Sequence, residues 1–200
     1  MCPMIKNALI DVGNVLLRLR SNPWEGLFRG SIPDEARMTA FRQLYALFES
    51  GGLRSEEFIS RGMEITNFQG SADEFSFRWC DIFAPIHPMH DFCAWMKERS
   101  VRLVLFSNTN PLHEEEIRKS AFYRFFDNAV YSYVVGEMKP GDGMYEYAVS
   151  GLKLDPAETL YVDDLVENIL TGKVFGFRSY RFDPMRVEQN VEELKSIFGV

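Results

Sequence analysis

The chain is short of cysteine and has no long apolar stretch. Its 200 residues include three cysteines, Cys2, Cys80 and Cys93, without metal-ligand or Cys-x-x-Cys spacing. This odd, unpatterned set excludes a disulfide framework and a cysteine-based zinc site, and we expect free thiols. No apolar run is long enough to cross a bilayer, and the first residues lack a basic segment followed by an apolar run. We therefore expect a cytoplasmic protein with no membrane partner.

Positive charge is also scarce. Lys and Arg number 22 against 29 Asp and Glu, so the formal net charge is -7, and the basic residues are scattered along the chain. Binding a nucleic acid through its phosphate backbone requires a basic surface, so we expect no nucleic-acid partner. A small anionic substrate remains possible at a locally positive site. The sequence pattern gives no indication of the oligomeric state.

Short apolar runs predict the strands of a parallel sheet. Three of them, at residues 8–10, 101–106 and 159–162, end in polar residues and are followed by helix-like patterns. Residues 129–133 and 177–182 are further candidates. Strands that alternate with helices form parallel sheets through right-handed crossovers. The sequence therefore predicts an α/β fold with a three-layer, Rossmann-like parallel sheet core.

A segment of different character follows the first strand. Helix signals dominate it, and Ser71 followed by Glu74 has the spacing of a capping box. Helix starts are also indicated at Pro33-Asp34-Glu35 and at Ser55. We predict an α-helical cap over residues 18–88, called the cap segment below, inserted into an α/β core formed by residues 1–17 and 89–200.

Asp11 directly follows the first strand, in Asp11-Val12-Gly13-Asn14. A carboxylate at the carboxyl end of a buried strand is held on a rigid scaffold and can act as a nucleophile. Gly13 lets the backbone turn sharply beside it. The same pattern also fits a simple turn that ends the strand.

Polar residues also follow the second strand. Ser107 and Asn108 stand shortly before Pro111, a favoured first residue of a helix, so their hydroxyl and backbone N–H groups could donate hydrogen bonds to a phosphate. Capping the helix is the alternative role for this group. Lys139, in the sequence Lys139-Pro140, lies ahead of another helix and could supply a cation to the site. The alternative is a solvated lysine in a loop.

Asp163 and Asp164 follow the third strand as adjacent carboxylates. Like charges side by side repel each other unless a cation or another partner neutralises them. Mg²⁺ binds through one or two carboxylates and keeps several waters, and Asp11 with Asp164 could supply those carboxylates. An aspartate pair at a helix amino terminus is the structural alternative.

Together these motifs resemble a known family. Asp11, Ser107-Asn108, Lys139-Pro140 and Asp163-Asp164-x-x-x-Asn168 resemble, in this order, the four motifs of the haloacid dehalogenase superfamily. The cap segment resembles the cap that this superfamily inserts after its first motif. The residues of these motifs are similar to those in the branch that includes bacterial α-D-glucose-1-phosphate phosphatases.

The resemblance implies an Mg²⁺-dependent phosphohydrolase that acts on a small phosphomonoester, such as a sugar phosphate, through an aspartyl-phosphate. It implies that Asp11 is the nucleophile and a magnesium ligand, together with Asp164 and the backbone carbonyl of Gly13. Asp163 and Asn168 would position Asp164 and the waters of the metal.

The resemblance also implies which residues bind the phosphoryl group. Ser107 and the backbone N–H of Asn108 would hold it, and Lys139 would neutralise its charge while orienting Asp11. Arg18, Arg20 and Trp24 follow Asp11 closely in the chain and are candidates for substrate contacts. The substrate itself cannot be read from the motifs.

Gly13 departs from the superfamily pattern. Most phosphatases of the superfamily carry an acid–base Asp at this position, and such catalysis contributes roughly 10²- to 10⁴-fold to the rate. Gly13 therefore predicts a preference for esters with a stabilised leaving group, such as sugar 1-phosphates. Two alternatives stay open: a metal-independent dehalogenase-type hydrolase, and a catalytically impaired protein that only binds its ligand.

Overall fold

The computed structural model describes residues 4–20, 24, 26–28 and 35–199. The predicted helix start at Pro33-Asp34 and the thiol of Cys2 lie outside these residues. Cys80 and Cys93 are free thiols, as expected. Within the described part of the chain, no helix is both long and apolar enough to span a membrane.

The strands are short and lie mostly in one sheet. They are β1 (Asn7–Ile10), β2 (Leu17–Leu19), β3 (Phe83–Pro85), β4 (Arg102–Ser107), β5 (Asn128–Tyr131), β6 (Thr159–Asp163) and β7 (Arg178–Arg181). The main sheet has the order β5-β4-β1-β6-β7, and every neighbouring pair in it is parallel. The central strand β1 therefore lies between β4 and β6, which confirms the predicted parallel core.

Helices cover both faces of the main sheet. The helices are α1 (Glu35–Glu49), α2 (Ser55–Thr66), α3 (Ala72–Cys80), α4 (His87–Glu98), α5 (Pro111–Lys119), α6 (Ser132–Val135), α7 (Asp142–Glu146), α8 (Val166–Val174) and α9 (Val187–Ser196). Phe92 of α4 and Leu194 of α9 pack with Ile10 on one face, and Tyr145 of α7 and Ile169 of α8 pack with Leu9 on the other. This burial on both faces explains why the strands are continuous apolar runs and confirms the three-layer architecture.

The cap segment has an apolar core of its own. Phe41, Phe58, Phe75 and Trp79 of α1, α2 and α3 are buried in one cluster, and Phe48 stacks on Phe58 with ring centroids 4.2 Å apart. The aromatic residues thus recur at helical spacing because they pack the helices together. The exact division into cap and core remains a prediction.

Helix α3 begins where the capping-box signal indicated. Ser71 Oγ accepts a hydrogen bond from the backbone N–H of Glu74 at 3.1 Å. The antiparallel pair β2 and β3, at the two ends of the cap segment, was not predicted. Strands of three residues are too short to produce a recognisable alternation of apolar and polar residues.

Two elements end earlier than the sequence predicts. The strand expected over residues 129–133 stops at Tyr131, because Ser132 begins the short helix α6. The alternation of strands and helices also predicts a helix over residues 142–150, and the structure has α7 followed by a π-helical turn from Tyr147 to Gly151. In both places, apolar periodicity does not mark the change in backbone geometry.

Candidate active site

The ends of three adjacent strands bring the predicted site residues together. Asp11 follows β1, Ser107 closes β4 and Asp163 closes β6, and β1 lies between the other two strands. In a parallel sheet the carboxyl ends of the strands lie at one edge, where ligands bind. Lys139, from the loop ahead of α7, reaches the same edge and joins Asp11 to Asp163.

Lys139 is the central cation of this cluster. Its side chain is 1% exposed, and Nζ donates to Asp11 Oδ1 at 2.9 Å, to Asp163 Oδ2 at 2.7 Å and to the carbonyl oxygen of Phe106 at 2.6 Å. These three acceptors match the three protons of an ammonium group. Burial opposes the charge, but the two carboxylates outweigh it and raise the pKa of Lys139. The side chain is therefore charged and fixed against Asp11.

Asp11 and its acidic neighbours carry more negative charge than Lys139 can balance. Burial raises the pKa of Asp11 to about 7; Lys139 opposes this shift, and Asp163 and Asp164 add to it. Oxygen atoms of Asp11, Asp163 and Asp164 all lie within 4.8 Å of one another. Three carboxyl groups facing one ammonium leave a negative excess, and an all-oxygen donor set suits a hard cation such as Mg²⁺.

Protein donors saturate the side chain of Asp163, which is fully buried. Oδ1 accepts from the backbone N–H of Leu165 at 2.9 Å and from Asn168 Nδ2 at 3.0 Å. Oδ2 accepts from Lys139 Nζ and from the hydroxyl of Tyr161, both at 2.7 Å. The N-cap residue of helix α8 is Leu165, so neither aspartate is the N-cap residue of this helix.

Asp164 is placed differently from Asp163. It is half-buried, and Oδ2 accepts from Asn14 Nδ2 at 3.1 Å. Burial raises the pKa of Asp164, and the hydrogen bond from Asn14 opposes this shift. Asn14 has a left-handed backbone, with φ of 54°, and its Oδ1 accepts from the backbone N–H of Leu19. The turn after Asp11 therefore holds Asp164 in position.

Ser107 and Asn108 have different roles. Ser107 is 3% exposed, and its Oγ donates to the carbonyl oxygen of Asn108 at 3.1 Å. Asn108 bridges to the backbone of Lys139: its Oδ1 accepts from the N–H at 2.7 Å, and its Nδ2 donates to the carbonyl oxygen at 2.9 Å. Asn110 caps α5 by accepting from the N–H of His113, so Ser107 is not needed for that purpose.

The three candidate substrate-contact residues make other contacts. Arg18 donates to the carbonyl oxygen of Pro184 at 2.9 Å, and Arg20 forms an exposed ion pair with Asp81 at 3.0 Å. Trp24 packs edge-on against Phe41 and Tyr45 within the cap segment. None of these contacts places the three residues at Asp11.

Sequence reasoning missed several residues of the site. Tyr161 stands two residues before Asp163, so strand alternation puts both on one face of β6, and this signal could have found it. Asn14 was part of a recognised motif but had no assigned role. Glu49, the last residue of α1, is 3% exposed and lies close enough to Asp11 and Lys139 for their charges to affect it. No local pattern marks Glu49, because its burial depends on how α1 docks.

Comparisons with known proteins agree with this arrangement. The family model of haloacid dehalogenase-like hydrolases matches residues 7–176. A D-ribitol-5-phosphate phosphatase of Bacteroides thetaiotaomicron is 25% identical over 190 residues, which cover 89% of this chain and 92% of that protein. The sesquiterpene phosphatase astK of Aspergillus oryzae is 22% identical over 179 residues, covering 88% of this chain and 89% of that protein.

Solved structures share the fold. The magnesium complex of a haloacid dehalogenase family enzyme from Bacteroides thetaiotaomicron superposes with a TM-score of 0.79 at 23% identity, covering 91% of this chain and 95% of that one. A predicted haloacid dehalogenase-like hydrolase from Porphyromonas gingivalis gives the same TM-score and identity, covering 96% of this chain and 99% of that one. Since the family model spans residues 7–176, which is most of the sequence, the chain belongs to the haloacid dehalogenase-like hydrolases.

Proposed function

We propose that the protein is an Mg²⁺-dependent phosphatase that hydrolyses a small phosphate ester through a phosphoryl group carried on Asp11. One observation carries the proposal: Lys139 Nζ is bonded to both Asp11 and Asp163, with Asp164 close to both carboxylates. Phosphoryl transfer depends mainly on positioning and on neutralising charge, and this cluster supplies both.

Asp11 would be the nucleophile. A carboxylate oxygen attacks phosphorus while the bond from phosphorus to the ester oxygen breaks, and water then attacks the phosphorus of the aspartyl-phosphate and releases inorganic phosphate. Lys139 fixes the carboxylate through the 2.9 Å contact to Oδ1, so little rotational freedom is lost when the ester is attacked.

The loop after β4 would bind the phosphoryl group. Ser107 Oγ and the backbone N–H of Asn108 would donate to phosphoryl oxygens, while the side chain of Asn108 keeps Lys139 in place through its two hydrogen bonds. Lys139 already uses its three protons on protein acceptors. Its charge would therefore act on the phosphoryl group mainly through the electric field.

Asp11, Asp164 and the carbonyl oxygen of Gly13 would hold the metal ion. When bound, Mg²⁺ supplies positive charge that stabilises the negative charge on the transferring phosphoryl group. Asp163 has both oxygens occupied by protein donors, so it would position its neighbours rather than bind the ion. Asn168, which donates to Asp163, belongs to the same supporting shell.

One of the two curated relatives supports a phosphorylated polyol as substrate. The relative from Bacteroides thetaiotaomicron is named for D-ribitol 5-phosphate and covers 89% of this chain. We further propose that the cap segment, residues 18–88, covers the site and selects the alcohol portion of the ester, since α1 delivers Glu49 close to Asp11.

A panel of phosphate esters, assayed with Mg²⁺ and with a chelator, tests the proposal. We expect Mg²⁺-dependent release of phosphate by the wild type and no release by Asp11→Asn. Asp91→Asn, which changes an exposed aspartate of α4, serves as the matched control and should retain activity.

Equal activity in the wild type and Asp11→Asn would overturn the proposal. Release of halide from a 2-haloacid in the presence of chelator would instead favour the dehalogenase alternative. Binding of Mg²⁺ without turnover of any ester would favour a protein that only binds its ligand.

A further inference from the structure

Gly13 leaves the site without the acid–base carboxyl that the resemblance leads one to expect. A Cβ atom at this position would lie 3.4 Å from Leu19 Cδ1 and 3.9 Å from Leu19 Cγ, which are ordinary contact distances. The backbone of Gly13 is not in the left-handed region that requires glycine. Position 13 thus has room for a Cβ atom and an ordinary backbone conformation, and the absence of a carboxyl group there leaves the acid–base role to another residue.

Glu49 is a buried carboxyl group that the fold brings close enough to Asp11 for the charge of Asp11 to affect it. Its backbone carbonyl accepts from Ser132 Oγ at 2.6 Å, and the same hydroxyl accepts from the backbone N–H of Thr109 at 2.9 Å. Thr109 belongs to the loop after Ser107 that we propose binds the phosphoryl group. The carboxyl end of α1 is therefore fixed to the proposed phosphate-binding loop.

The side chain of Glu49 is buried against charged groups of the site. It forms a hydrogen bond with Tyr45 one turn earlier in α1, and the charges that reach it from the core are those of Asp11 and Lys139. Burying a carboxyl group is costly, and the hydrogen bond with Tyr45 and the charge of Lys139 offset this cost only in part, because burial still dominates the shift in its pKa. The carboxyl of Glu49 therefore lies buried where the charges of the site act on it.

The protonation state of Glu49 suits proton transfer. Burial raises the pKa of Glu49 to about 7; the hydrogen bond with Tyr45 opposes the shift, and Asp11 adds to it. A carboxyl group with a pKa near the working pH can both donate and accept a proton at useful rates.

We propose that Glu49 is the general acid and base of the reaction and replaces the side chain that Gly13 lacks; this inference rests on the proposed function. As Asp11 attacks phosphorus and the P–O bond of the ester breaks, the proton of the Glu49 carboxyl passes to the departing oxygen, which leaves as an alcohol. The resulting carboxylate then takes a proton from the water that attacks the aspartyl-phosphate. Phosphate and the free carboxylate of Asp11 are released, and Glu49 is protonated again.

The dependence of rate on the leaving group separates this role from a structural one. Protonation matters for a poor leaving group such as an alkoxide and little for 4-nitrophenolate. The experiment compares the wild type and Glu49→Gln on 4-nitrophenyl phosphate and on the best alkyl phosphate of the panel. Glu64→Gln, at an exposed position of α2, is the control.

We expect Glu49→Gln to lose roughly 10²-fold or more of kcat/KM on the alkyl ester. With 4-nitrophenyl phosphate, the variant should still release a rapid burst of 4-nitrophenolate, followed by a slow steady state, because hydrolysis of the aspartyl-phosphate then lacks its base. Glu49→Asp, which keeps a carboxyl group, should retain more alkyl-ester activity than Glu49→Gln. Glu64→Gln should behave as the wild type.

If Glu49→Gln lost kcat/KM equally on the two esters, or lost none on the alkyl ester, the assignment of Glu49 would be overturned and the proposed function would stay intact. The same holds if the wild type hydrolyses only esters with stabilised leaving groups, the preference that Gly13 alone predicts. A wild type inactive on every ester with Mg²⁺ would overturn the proposed function itself, and with it this role of Glu49.

Discussion

A buried histidine at the contact between the core and the cap segment should make folding stability depend on pH. The ring of His113 stacks on that of Trp79, with centroids 4.8 Å apart and an angle of 12°. Nε2 lies 3.0 Å from the carbonyl oxygen of Trp79, and Nδ1 lies 3.0 Å from Asn110 Nδ2. These partners suit a neutral ring that donates from Nε2 and accepts at Nδ1. Protonation of Nδ1 would place its N–H opposite the N–H donor of Asn110 Nδ2, so neither would have an acceptor there.

The sign and size of the effect follow from linkage. Burial lowers the pKa of His113 from 6.5 to about 4, while hydrogen bonding to the Trp79 carbonyl and the charge of Glu116 oppose the shift. Between these values the unfolded chain binds the proton and the folded protein does not, so stability falls as pH falls. The slope approaches about 1.4 kcal/mol per pH unit, and the loss from pH 7 to pH 5 is about 2 kcal/mol.

Other groups titrate in the same range with the opposite sign. Burial raises the pKa values of Asp11 and Glu49 to about 7, so the folded protein holds their protons more tightly, and these groups stabilise it as pH falls. The measurement must therefore be a difference. Urea denaturation of the wild type and of His113→Gln, from pH 7 to pH 5 without Mg²⁺, isolates the contribution of the imidazole.

The free energy of unfolding of the wild type, relative to His113→Gln, should decrease by about 2 kcal/mol over this interval. The lost stacking in the variant shifts its stability by a constant and does not affect the slope. His87→Gln, at an exposed position of α4, controls for the removal of a histidine in general. Parallel pH profiles for the wild type and His113→Gln would refute the reasoning.

Three further predictions concern the active site. Asp164→Ala should weaken Mg²⁺ binding more than Asp163→Ala, because protein donors already occupy both oxygens of Asp163; calorimetric titration with the opposite order would reject the ligand assignment. Lys139→Met should lower the free energy of unfolding by about 3 kcal/mol or more, since it leaves buried carboxylates without their cation. Urea denaturation at pH 8 measures this loss, and a decrease under about 1 kcal/mol would contradict it. Gly13→Asp should fold, because its Cβ would lie 3.4 Å from the nearest side chain. It should also restore alkyl phosphate hydrolysis to Glu49→Gln, which the kcat/KM of the double variant measures. A folded double variant without any recovery of kcat/KM would mean that position 13 does not face the leaving group.

Much of the fold could be predicted from the sequence, because the main sheet is buried on both faces. Residues 8–10 and 160–162 are hydrophobic throughout, and each run is followed by an aspartate that marks the carboxyl edge. The pair β2 and β3 could not be predicted, because each strand has only three residues and is defined by its pairing with the other. Propensity and periodicity act over longer windows than these.

The same distinction holds for the site. Asp11, Ser107 and Asp163 each close a strand, so chain position alone brings them to one edge. Glu49 is different: it ends an amphipathic helix, and it is buried because Ser132, 83 residues later in the chain, holds that helix end. A contact of this range leaves no local trace in the sequence, so only the folded chain reveals a carboxyl beside Asp11.

The antiparallel pairing of β2 with β3 has a consequence for how the family can diversify. The chain leaves the core and returns to it side by side, with Leu17 opposite Pro85 and Leu19 opposite Phe83. The entropic cost of closing a loop grows only slowly with its length, so once this ladder joins the two ends, residues added between them burden the core little. Under the proposed function, lengthening, trimming or exchanging the helices between β2 and β3 would therefore present new alcohols to an unaltered phosphate-binding edge.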